Sequence, residues 1–145
     1  MLVSSLENFR ISRELGFTLQ GIKHRHRNKA EKMQPGDRII YYVTGQMKIA
    51  GIATITGRYY EDHTLVWRSE KKGEDYPFRF AIEPFILLEE SEFVPVQDLV
   101  PQMAYTKKWP EAHWRLAFQG NVHLLPESDY LLMEDAIRQA VAARV

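Results

Sequence analysis

The chain has no cysteine among its 145 residues. Disulfide frameworks, zinc ribbons and thiol nucleophiles are thereby excluded, while the redox compartment stays open. Long apolar runs are missing as well, and no stretch approaches the length of a membrane span. The opening Met1-Leu2-Val3-Ser4-Ser5 carries neither a basic segment nor an extended apolar one. A cytoplasmic protein with no membrane partner is expected on those grounds. An excess of charge is also lacking, since 19 Lys and Arg balance 19 Asp and Glu. Proteins that wrap long duplex nucleic acid draw affinity from phosphate neutralisation and usually carry a basic surplus. Finally, the sequence holds no glycine-rich phosphate loop, no GxSxG elbow, no HExxH and no DxDxDG pattern. No cofactor is expected, and binding is expected in preference to turnover.

What is present is ordinary globular composition, 45% hydrophobic and 26% charged. A chain of this length can bury one sizeable core, and no repeat or linker divides it. Leu2-Val3 reads as the stump of a strand. Ser4 followed by Glu7 fits a capping box, and Leu6, Phe9, Ile11 and Leu15 form a helical stripe that Gly16 ends, so the first helix is expected over 5–15. Asn28 is placed to cap a short helix running to Met33, and Pro35-Gly36-Asp37 marks a turn. Residues 38–43 (RIIYYV) form a β-branched and aromatic strand, and a second, long strand is expected over 48–58 with a bend or close approach at Gly51. Residues 59–67 are expected to continue the sheet, 68–75 to form a surface loop, 78–88 to be a strand, and 122–125 to be a short one. The last helix is expected from Pro126-Glu127 to Ala143, with Tyr130, Leu131, Met133, Ile137 and Val141 on its apolar side. Strands joined mainly by turns, with helices at the ends and crossovers, point to an α+β fold with a curled, mostly antiparallel sheet.

The histidines, His24, His26, His63, His113 and His123, do not form a convincing metal set. His24 and His26 sit among Arg25, Arg27 and Lys29, where cation repulsion disfavours a metal and no carboxylate is adjacent. The acid pairs Glu89-Glu90 and Glu134-Asp135 read as solvated faces. The basic run from Lys23 to Lys32 has two readings of equal weight. It is a solvated helix start, or it is a phosphate-contacting edge in which Arg25, Arg27 and Lys29 meet the backbone of a ligand. Gly21 before it would let a ligand approach the main chain closely. Flat heterocycles are held by stacking and by edge hydrogen bonds, so aromatics near Asn8 and Lys23 would make a base pocket.

The order of short motifs resembles the EVE domain family. The pieces are Ser5-Leu6-Glu7-Asn8-Phe9, Gly21-Ile22, Arg27-Asn28, residues 35–42 (PGDRIIYY) and Gly51-Ile52-Ala53. Tyr60-Glu61-Asp62, Val66-Trp67, Tyr76-Pro77-Phe78-Arg79-Phe80, Trp114, Phe118-Gln119-Gly120 and Asp129-Tyr130 follow. That resemblance implies a PUA-like barrel of five or six strands flanked by helices, similar to the YTH domain that reads methylated adenine in RNA. It implies one pocket for a modified nucleobase. Eukaryotic relatives such as thymocyte nuclear protein are associated with modified cytosines in DNA, and prokaryotic members with the sensing of base modification. Glu7-Asn8 stands where the YTH domain has Glu-Asn, whose asparagine bonds the base. Gly21 and Ile22 stand where backbone groups face it, and Trp67 stands close to a second aromatic wall. Lys23 departs from the pattern, because the YTH domain has tryptophan there. EVE domains also commonly open with a Tyr-Trp pair, and this chain begins just after that point, so a short first strand or a start further upstream is expected.

The expected ligand-binding set is Ser4, Ser5, Asn8, Gly21, Ile22, Lys23, His24, Asn28, Tyr42 and Trp67, with phosphates on Arg25, Arg27 and Lys29. The expected partner is a modified nucleobase in DNA or RNA. A free nucleotide or other small ligand in the same pocket is the second reading, and a base-processing enzyme the third. The oligomeric state is not legible.

Overall fold

A computed structural model describes residues 1–144. Its strands are β1 (Leu2–Ser4), β2 (Leu19–Ile22), β3 (Arg38–Val43), β4 (Lys48–Ile55), β5 (Tyr60–Glu61), β6 (Phe78–Leu87) and β7 (Val94–Pro95). The helices are α1 (Leu6–Glu14), α2 (Arg27–Lys32) and α3 (Glu127–Ala142), with short 3-10 turns between β6 and α3. The strands form one sheet in the order β1-β3-β4-β6-β2, with β5 added to β6 and β7 to β4. Only β1 and β3 run parallel, and every other pairing is antiparallel. Five strands have three or more residues, flanked by helices as the α+β reading requires.

The sheet curls because its two long strands are irregular. The β3–β4 register slips between Tyr41 and Tyr42, and the β4–β6 register slips between Ile52 and Ala53. An extra residue on one strand bends it and increases its twist. Gly51 lies between these slips, and a Cβ there would stand 2.8 Å from the Ile86 carbonyl oxygen, so the crossing of β4 and β6 requires glycine. Pro84 lies within β6, which tolerates it beside the irregularity.

The curled sheet closes around an aromatic nucleus. The Phe9 ring lies 5.2 Å from Phe17, 5.6 Å from Tyr41 and 5.4 Å from Phe93, in tilted and edge-on geometries favoured by the ring quadrupoles. The polar atoms beside this nucleus are linked in a chain. Trp67 Nε1 donates to Ser12 Oγ (3.0 Å), and Ser12 Oγ and Tyr41 Oη both donate to Gln20 Oε1 (3.1 and 2.8 Å). Burial raises the Tyr41 phenol far above its ordinary range, so it acts only as a donor here.

Several expectations need correction. The cap of α1 is Ser5, whose Oγ accepts from the Asn8 amide (3.1 Å), because Ser4 is taken up by the end of β1. Asn28 caps nothing: α2 begins a residue earlier, behind His26. β4 stops at Ile55, and residues 59–67 give the sheet only the two residues of β5. Residues 122–125 contribute a single bridge, Leu2 to Val122. Leu131 faces outward on α3. Buried Asp129 instead accepts the amides of Ala104 and Tyr105 (both 2.8 Å), which fixes the turn Tyr105–Lys108 against α3.

Candidate nucleobase pocket

The start of α1, the end of β3, residues 68–76 and residues 115–121 enclose a cavity of about 840 Å³. That is within the range of small-molecule sites. Four of the expected residues line it: Ser5, Asn8, Lys23 and Tyr42. Its aromatic surfaces are Tyr42, Phe118 and Tyr76. Tyr42 and Phe118 stack at 4.6 Å with an angle of 20°, and Trp114 meets Phe118 edge-on at 5.8 Å. Burial pushes the Tyr42 phenol up to about 12 despite the opposing pull of Arg115.

Asn8 sits at the centre of the polar side, and most of its capacity is engaged. Nδ2 donates to the Arg68 carbonyl (2.8 Å) and to Tyr76 Oη (3.2 Å), while Oδ1 accepts the Arg68 amide (2.8 Å). Both N–H groups are used, so the amide can offer an incoming ligand one remaining lone pair. Asn8 thus pins residues 62–77 to α1. Donors toward the cavity come from the Ser5 hydroxyl and from Lys23. The Lys23 ammonium lies 5.6 Å from the Tyr76 ring and pairs with Glu74 at 2.8 Å. That contact holds the Glu74 carboxyl below its usual range.

Asn121 was not singled out by sequence reasoning. It is buried, its Oδ1 accepts the Lys23 amide (3.0 Å), and its Nδ2 donates to the Val3 carbonyl (3.3 Å). It therefore locks β2 to β1 at the rim. Its only sequence signal is a polar residue directly after Phe118-Gln119-Gly120.

The other expected residues lie elsewhere. Trp67 is buried against Gly21, where a Cβ would meet its ring at 2.5 Å and the Tyr76 carbonyl oxygen at 2.7 Å. Glycine serves there to admit the indole, and neither residue borders the cavity. Ile22 is fully buried opposite Phe78. Ser4 turns its hydroxyl to the Ser5 carbonyl (2.9 Å). His24 stacks on Phe78 at 5.6 Å, and Asn28 is exposed on α2. Arg25 lies 3.8 Å from Glu74, Arg27 lies 3.3 Å from Glu61, and Lys29 donates to the Val122 carbonyl (2.6 Å).

Buried Arg79, carried inward by β6, staples the 62–77 segment. Its Nε donates to the Tyr76 carbonyl (3.2 Å), Nη2 donates to the Thr64 carbonyl, and Nη1 pairs with Asp62 at 3.4 Å. Outside, His63 bridges Asp75 (2.6 Å) and Glu61 (2.9 Å), which raises its pKa. A second, smaller hollow of about 550 Å³ lies between α2, β3 and the start of α3. It is mostly apolar, and of the expected site residues only Lys29 borders it.

Comparisons with known proteins agree with this architecture. The family model of the EVE domain matches residues 3–130. A UPF0310 protein of Pyrococcus abyssi is 27% identical, covering 94% of this chain and 97% of its own length. The Mmi1 YTH domain superposes with a TM-score of 0.66 at 9% identity, covering 99% of this chain and 98% of that one. The YTH domain of the Zygosaccharomyces rouxii MRB1 protein, in complex with N6-methyladenosine RNA, gives 0.60 at 16% identity over 94% of this chain and 84% of that one. At such identities these structures speak for the fold alone.

Proposed function

The chain belongs to the EVE domain family, and from that premise we propose that it binds a modified nucleobase of a nucleic acid, without turnover. The observation that carries this reading is the cavity itself. Stacked Tyr42 and Phe118 stand beside Tyr76, with Ser5, Asn8 and Lys23 on the same wall space. Aromatic faces and a few polar edge groups are what a flat heterocycle needs. The fold neighbour solved with N6-methyladenosine RNA supports the same reading by analogy. Asn8 accepts from a base N–H, and the Ser5 hydroxyl donates to a base oxygen or ring nitrogen. Lys23 offers an ammonium where an aromatic would favour an apolar methyl, so a base with an oxygen-bearing edge is preferred over a purely N-methylated one.

A second reading is a free nucleoside or similar small ligand in the same cavity. It is favoured by the pairing of Lys23, Arg25 and Arg27 with Glu74 and Glu61, which leaves little charge there for phosphates. Calorimetry across modified single-stranded oligonucleotides and the matching nucleosides separates the two. The first reading expects oligonucleotides to bind more tightly at low salt and to emerge chemically intact by mass spectrometry. Equal affinity favours the second, and product formation refutes both.

A further inference from the structure

The cations that the sequence offers for phosphates are already occupied. Glu74 lies 2.8 Å from Lys23 and 3.8 Å from Arg25, with only 19% of the Glu74 side chain exposed. Glu61 holds Arg27, and Lys29 is spent on the Val122 carbonyl. A phosphate arriving at this segment must first displace a carboxylate, so its counterion-release gain is largely cancelled.

Three other cations border the cavity, of which Arg68 is paired with Glu7 at 3.1 Å. Arg115 comes from the turn Glu111–Phe118 and Lys71 from the 62–77 segment, and both are exposed. Among the described residues, neither has a carboxylate within ion-pair distance. The Arg115 guanidinium lies 5.7 Å from the half-buried Trp114 ring, which in turn packs on Phe118 in the cavity wall. A free cation beside a partly open indole is the pairing that holds a nucleotide by its phosphate and its face.

Resting on the nucleobase reading of the cavity, we propose that the partner is a single strand whose flanking phosphates lie on Arg115 and Lys71. Glu74 meanwhile keeps Lys23 and Arg25 out of that track. The strand crosses the cavity mouth between the 62–77 segment and the turn Glu111–Phe118, and the basic run from Arg25 to Lys32 stays outside its path.

The test is fluorescence anisotropy with a labelled single-stranded RNA carrying one central 5-hydroxymethylcytidine, a base with an oxygen-bearing edge, its unmodified and N6-methyladenosine counterparts and the DNA equivalents, from about 50 to 200 mM salt. The intact chain is compared with Arg115→Gln/Lys71→Gln, Arg25→Gln/Arg27→Gln and Glu74→Gln, each checked for folding by circular dichroism. On single strands each lost phosphate contact flattens the log–log salt slope by about 0.7. The first double variant is expected to flatten it by about 1.4, the second to leave it unchanged, and Glu74→Gln to steepen it by freeing two cations. A slope that flattens only in the Arg25/Arg27 variant overturns the proposal, as does one that all variants share. Free nucleosides titrated in parallel separate the levels. If they bind while oligonucleotides gain nothing, the track is wrong and the cavity reading stands. If neither binds, the cavity reading falls with it.

Discussion

Residues 62–77 and residues 111–121 both send side chains into the cavity, yet they are held by different forces. The first segment has no regular structure and is tied by charges and hydrogen bonds: Arg68 to Asn8, Glu74 to Lys23, Asp62 to Arg79, and His63 to two carboxylates. One large apolar anchor, Trp67, completes it. The second is held mainly by packing, with Phe118 on Tyr42, Trp114 on Phe118, and Asn121 as its polar lock. Packing is nearly indifferent to salt and pH, whereas exposed ion pairs are sensitive to both. The cavity thus has one wall whose position is conditional and one whose position is not, and its geometry answers to solution conditions from one side only.

Removing the apolar anchor of the 62–77 segment should break the comparison most severely. Trp67→Ala empties a buried indole site and strands the Ser12 hydroxyl bond, an expected cost of about 3–5 kcal/mol in urea unfolding. Trp114→Ala, half-buried, should cost less than half of that; equal losses would mean that the 62–77 segment depends on its indole no more than the other wall does. Gly21→Ala comes next. Its Cβ must push the Trp67 ring and the Tyr76 main chain apart, and main chain yields poorly, so about 1–3 kcal/mol is expected. A neutral Gly21→Ala would contradict the close approach.

Asn8→Ala sharpens the contrast, because it removes both bonds to the Arg68 main chain and one to Tyr76. The expected loss is about 1–3 kcal/mol, from leaving buried polar groups unpaired. Amide exchange should accelerate across residues 62–77 and stay unchanged across 111–121. Acceleration in both segments alike would show that they are one unit.

The smallest effect is on pH. Hydrogen bonds to Glu61 and Asp75 raise the His63 pKa above its ordinary 6.5. A group raised in the folded state contributes fully below its unfolded value and loses that contribution as pH climbs through the folded one. The Glu61 carboxyl is lowered from 4.5, chiefly by its bond to His63, so its share is present above that value and lost as pH falls through the lowered one. Exchange protection of residues 61–76, corrected for intrinsic rates, should therefore decline above about pH 6.5. His63→Gln should abolish that decline, and a decline that persists in the variant would assign it to another group.

The same contrast explains what could be read from the sequence. β3, β6 and α3 were legible because their periodicity is local: RIIYYV, the alternation through Phe78, Phe80 and Ile82, and the stripe ending at Val141. The packed nucleus draws only Tyr41 from these elements, and joins it to Phe9, Phe17 and Phe93 from three separate stretches of chain. Ser5, Asn8, Lys23 and Tyr42 all border the one cavity, and each lies in or beside an element or motif visible in the sequence. That Trp67 packs on Gly21 and lies off the cavity was not legible, because Gly21 is on a distant strand and a glycine that admits a ligand looks like one that admits an indole. The partners that Arg25, Arg27 and Lys29 have in the fold, Glu74, Glu61 and the Val122 carbonyl, were equally hidden. A charge run counts its own members, and its counterions come from a segment with no pattern of its own. Tyr76, Phe118 and Asn121 gave little signal as site residues for the same reason: the cavity they border exists only after the sheet curls.

The most direct test of the central claim is an amide-resolved titration. Nitrogen-15-labelled protein is titrated with short single-stranded oligonucleotides carrying single modified bases, and the Asn8 and Asn121 side-chain amides are followed with the main-chain amides of Lys23 and Arg68. A base entering the cavity should shift these four sets of resonances together, with the ligand that binds most tightly shifting them at the lowest concentration. Shifts confined to the apolar hollow near Met33, Ile55 and Leu125, or saturable binding that leaves Asn8 and Asn121 unmoved, would contradict it.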